Sequence, residues 1–162
     1  MPRTTFRLIL AATAVAALAS PAAIAASWTP TDSQDADAPR VIYTETDSGA
    51  ALLACSADGK LSATLSDQNT DFAQRMKKNA PYRRGVDVVL TVGEKTTDEA
   101  RWSLMPAIDV IFSSSHNQAA QLFNATVRGE ALTVTVNGDD YTSMTLPPVD
   151  ETFRAFSRTC RG

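Results

Sequence analysis

The chain reads as a mainly β protein with short helices, an antiparallel, β-sandwich-like single domain closed by one disulfide. Three observations predict this. Short β-branched and alternating segments recur from residue 40 to residue 146, broken by Gly, Asp, Asn and Pro, with no regular strand–helix alternation. Two of the breaks, Asp58-Gly59 and Asn137-Gly138, are hairpin dipeptides set between apolar runs. The only cysteines are Cys55 and Cys160, in a chain whose N-terminus looks built for export.

Arg3 and Arg7 stand before and at the edge of an apolar run of 11 residues, 8–18. Pro21 breaks it, and Ala23 and Ala25 supply small residues at −3 and −1 of a cleavage point. This is the anatomy of a bacterial secretory signal peptide over residues 1–25. The run is too short to cross about 30 Å of hydrocarbon as a permanent helix. The expected location is the periplasm of a Gram-negative cell or its exterior, with no stable membrane span after processing. Without residues 1–25 the chain keeps 13 of its 15 basic residues and all 18 acidic ones, a net charge of −5. That balance argues against a nucleic-acid partner.

Residues 26–39 are mostly Pro, Asp, Ser, Thr and Ala around Trp28, and read as a flexible N-terminal segment ahead of a β-rich domain over 40–162. Trp28 either docks on that domain or stays exposed. Residues 40–45 form a first strand, and 47–49 a turn. Segments 50–56 and 60–66 pair as a hairpin. A three-residue loop over Ala57, Asp58 and Gly59 sets Cys55 opposite Leu61 and Leu53 opposite Ala63. It gathers Leu53, Cys55, Leu61, Ala63 and Leu65 on one face, whereas a one-residue slip would scatter them. Asp71 caps a short helix to Lys78, with Phe72 and Met76 on one side.

Val86, Val88, Leu90 and Val92 alternate as a half-buried strand. Ala100, Trp102 and Leu104 alternate in the next, which Pro106 ends. Residues 108–112 make another strand. Ser113–Ser115 supply the N-cap of a helix over 117–128 that Gly129 closes, with Ala119, Leu122, Phe123, Ala125 and Val127 on its apolar face. Segments 131–136 and 141–146 pair around Asn137-Gly138. An odd-numbered loop there keeps Leu132 and Val134 on the face of Met144 and Leu146. Asp150 caps a last helix carrying Phe153, Phe156 and Cys160 at i, i+3 and i+7. An even cysteine count in an oxidising compartment joins Cys55 to Cys160.

No residue set points to catalysis, a cofactor or a metal. His116 is the only histidine and sits at a helix start among serines, where capping accounts for it. Asp139, Asp140, Asp150 and Glu151 do not follow a calcium-loop spacing. No pair of carboxylates is singled out for hydrolysis. The distinctive surface feature is a basic cluster, Arg75, Lys77, Lys78, Arg83 and Arg84, with Tyr82 among them and Phe72 just ahead. It predicts a docking patch for an anionic partner, a cell-envelope polymer or an acidic protein face.

Cys55-Ser-Ala-Asp-Gly59, the apolar strand pairs and the closing Leu146-Pro-Pro-Val-Asp-Glu-Thr-Phe153-Arg-Ala-Phe156-Ser-Arg-Thr-Cys160 together resemble two groups. One is the small secreted two-cysteine proteins of the invasion-associated locus B family. The other is the periplasmic accessory proteins of type VI secretion. The Cys-x-x-Asp-Gly opening is also similar to that of lysozyme inhibitors, whose Ser-Gly-x-x-Tyr stretch is absent here. These resemblances imply structural cysteines and a non-enzymatic envelope-accessory or binding protein, with inhibition of a cell-wall lytic enzyme as the alternative.

Overall fold

The computed structural model describes residues 26–31, 37–67 and 82–160. Their strands are β1 (Thr29–Pro30), β2 (Val41–Thr46), β3 (Gly49–Cys55), β4 (Leu61–Asp67), β5 (Arg84–Val92), β6 (Lys95–Thr96), β7 (Ala100–Met105), β8 (Val110–Ser113), β9 (Ala131–Val136) and β10 (Asp139–Thr145). Two helices are described, α1 (His116–Arg128) and α2 (Glu151–Cys160). The strands form one antiparallel sheet in the order β1-β2-β3-β4-β8-β7-β5-β9-β10, with β6 paired to β5. The expected signal peptide at 1–25 and the expected helix from Asp71 to Lys78 lie outside the described residues.

The sheet curls until its two halves face each other. The Tyr141 hydroxyl on β10 donates to the carbonyl oxygens of Asp109, at 3.2 Å, and of Leu65 on β4, at 3.4 Å. Thr142 donates to the Ser48 carbonyl at 2.8 Å. A single half-closed sheet thus supplies the layering expected of a sandwich. Its inner face carries every second residue: Leu53 and Leu65 on β3 and β4, Val86, Val88 and Leu90 on β5, Trp102 and Leu104 on β7, Leu132 and Val134 on β9. Ala119, Leu122 and Ala125 of α1 and Phe153 and Phe156 of α2 fill the concavity. This burial is the main favourable term in folding.

The first hairpin has the expected register. Cys55 faces Leu61 and Leu53 faces Ala63. Gly59 adopts φ 76°, and Ser56 N–H donates to the Lys60 carbonyl at 3.0 Å, closing the three-residue loop. The Lys60 ammonium beside Asp58, with the Ser56 hydroxyl, lowers the exposed Asp58 carboxyl to about 2. Cys55 and Cys160 are bonded across 5.6 Å between Cα atoms. They join this hairpin to the end of α2.

Four details differ from the sequence reading. The segment at 26–39 is not wholly a tether, because Thr29 and Pro30 pair with β2. Trp28 is 3% exposed and lies on Phe153, with 5.5 Å between ring centroids. Its indole donates to the Pro147 carbonyl and its amide to Asp150. One large indole repays the ordering of a short polar stretch.

The β9–β10 loop has two residues, Asn137 and Gly138, both at positive φ. A register shift between Asp140 and Thr142 restores the parity expected of an odd-numbered loop, so Leu132 still faces Met144. β8 starts at Val110, because Asp109 at φ 54° turns the chain and leaves Ile108 exposed. On α1 the buried face is Ala119, Leu122, Ala125 and Thr126, and Val127 points outward.

Candidate functional site

Arg75, Lys77 and Lys78 of the expected basic patch lie outside the described residues. Arg83 and Arg84 lie within them, and the strand register sets their surroundings. Gly85, Ser103 and Phe112 pair side by side across β5, β7 and β8 on the outer face of the sheet, which the inner-face alternation leaves to polar and half-buried side chains. Arg83 enters this row from just before β5. Its guanidinium lies over the Phe112 ring, 4.6 Å from the centroid, and donates to Ser103 Oγ at 3.2 Å.

Arg101 on β7 was not singled out by the sequence, because its neighbours there are Ala100 and Trp102 rather than other cations. Pairing brings it opposite Asp87, to which it donates at 2.7 Å. Its side chain lies across Gly85. A methyl group on Gly85 would overlap the guanidinium, so the missing side chain makes the bed on which Arg101 rests.

Arg83, Arg101, Ser103 and Phe112 line a cleft of about 230 Å³ with Ser113, Ser114 and Ser115, the turn that opens α1. No acid stands in the first turn of α1. Two guanidinium groups and several hydroxyls therefore converge on one concavity, a donor-rich setting for carboxylate or phosphate oxygens. Arg84 takes the opposite side of β5 from Gly85 and is half-buried, so the cationic pair is Arg83 with Arg101 and not Arg83 with Arg84.

His116 and Asp150 have structural partners. His116 Nδ1 accepts the Leu61 N–H at 3.1 Å and ties α1 to β4. Of the three serines expected to supply the cap of α1, Ser115 takes the N-cap position, but its side chain makes no capping bond. Instead Ser113 Oγ accepts the Ser115 N–H. Asp150 accepts the Phe153 N–H at 2.8 Å, capping α2. Asp139 and Asp140 begin β10. Asp140 lines a second cleft, of about 490 Å³, with Asp47, Asp67 and Tyr141 at the seam where β10 approaches β3 and β4. Burial, reinforced by the Asp109 and Asp67 carboxylates, holds the Tyr141 phenol well above its usual range.

No family model, curated protein or solved structure matches this chain. Among the described residues no helix is long and apolar enough to cross a membrane.

Proposed function

We propose that this is an exported, non-enzymatic binding protein of the bacterial envelope that docks on an anionic envelope polymer through the Arg83–Arg101 cleft. The observation that carries this reading is the convergence of two guanidinium groups and the Ser113–Ser115 turn on one concavity, in a chain of net charge −3. The disulfide supports an oxidising compartment, as does the signal-like N-terminus. Kinship with the invasion-associated locus B and type VI accessory proteins belongs to the same proposal.

The test is retention of the purified protein on immobilised polyphosphate as salt is raised. Two exposed charge contacts of about 0.7 kcal/mol each make Arg83→Gln/Arg101→Gln about tenfold weaker, with a shallower salt dependence. Gly85→Ala keeps every charge but displaces the flexible end of Arg101, and is expected to fall between the two. Retention that neither variant alters would overturn the assignment.

A further inference from the structure

The two helices do not close on each other. Between the C-terminal half of α1 and the outer side of α2 runs a groove of about 330 Å³. Its floor is Phe123, Val149 and Phe153, with the two rings 4.8 Å apart. Val127 forms one wall and is 53% exposed. The other wall carries Arg154 and Arg158, one helical turn apart on α2. Both reach toward a single carboxylate, Glu151, at 3.7 and 3.8 Å, and all three side chains are more than half exposed. Contacts that long and wet hold neither guanidinium firmly, so two cations share one anion at the edge of an apolar slot.

We infer that this groove binds the acyl chain of a long-chain fatty carboxylate, with its headgroup between Arg154 and Arg158. The apolar floor suits methylenes. Two forked cations above it, sharing one exposed acid only at long range, suit an anionic head, so charge and polarity change across the groove in the order that such an amphiphile presents them. The volume lies at the low end for small-molecule sites and fits one chain. Val127 gains nothing structural from facing water here, while Phe123 and Val149 pack on the core and turn their remaining surface to the groove. α1 already has its buried face in Ala119, Leu122 and Ala125. The site is separate from the arginine cleft, because the cleft lies at the other end of α1, roughly 18 Å away at 1.5 Å per residue. The inference does not rest on the proposed function.

The experiment is calorimetric titration of the intact protein with saturated fatty carboxylates of increasing length and their matched alcohols, each below its micelle concentration. Affinity is expected to rise roughly fourfold per methylene until the groove is filled and then level off. The carboxylate is expected to bind at least fivefold tighter than its alcohol. Arg154→Gln/Arg158→Gln should abolish that preference and keep the chain-length slope. Val127→Asp, at an exposed position that leaves the core untouched, should weaken every length. A flat length series, an alcohol that binds as well as the acid, or a Val127→Asp protein with unchanged affinity overturns the inference.

Discussion

Replacing both halves of the staple, as Cys55→Ala/Cys160→Ala, tests what holds this fold together. The bond joins residues 105 apart in sequence. In the chain-entropy treatment, releasing a loop of that length returns about 16 cal/mol/K to the unfolded chain, or about 4.7 kcal/mol at 25 °C. Small domains are stable by about 5–15 kcal/mol, so the variant should fold but with little reserve.

Unfolding entropy of about 2.1 cal/mol/K per residue over residues 41–160 converts that loss into a fall of roughly 15–20 °C in Tm. Trp28 and Trp102 are 3% and 2% exposed, so their fluorescence reports global unfolding in guanidinium. The m-value should rise, because the unlinked chain exposes more surface when unfolded. α2 should persist in the folded variant, since Phe153 and Phe156 are buried independently of the bond. Its amide protection should fall first toward residue 160. A loss below about 1 kcal/mol, with m unchanged, would refute the argument that the staple acts by restricting the unfolded chain.

Two further outcomes are expected. Gly49 sits at φ 149°, and a methyl group there would overlap the Ser66 carbonyl of the paired strand, which cannot move aside. Gly49→Ala should therefore cost about 2–4 kcal/mol, measured by chemical denaturation. Tyr141 keeps its proton in the fold, whereas unfolded phenols lose theirs near pH 10. Above that pH the unfolded state binds fewer protons, and stability falls by up to about 1.4 kcal/mol per pH unit. Tyr141→Phe should lose about 1 kcal/mol at pH 8 through its two carbonyl contacts, yet show a shallower decline between pH 10 and 11.5. Parallel declines in the two proteins would exclude Tyr141 as the source.

Local chemistry made much of the architecture legible in the residues. The alternation of Val86 to Val92 named a strand and its buried face. Asp58-Gly59 fixed a hairpin register, because only one offset put Leu53, Cys55 and Leu65 together. Gly129, at φ 66°, marked the end of α1. Each of these is a short-range constraint, decided within a few residues by sterics, turn geometry or periodicity.

Features that the residues left open, or set wrong, depend on long-range partners. Trp28 docks because Phe153 and Pro147, far along the chain, provide a surface. The bulge near Tyr141 corrects a register that a two-residue turn alone would have set wrong. The cationic cleft pairs Arg83 with Arg101 rather than with its neighbour Arg84, since adjacent residues on a strand point to opposite faces and cross-strand pairing chooses the companion. By itself, then, the sequence determined a disulfide-bearing, antiparallel β chain and most of its strands. Which charges meet, which apolar residues stay uncovered between α1 and α2, and how the sheet curls onto its own edge were decided only by tertiary structure, because those outcomes depend on contacts between segments that no local pattern couples.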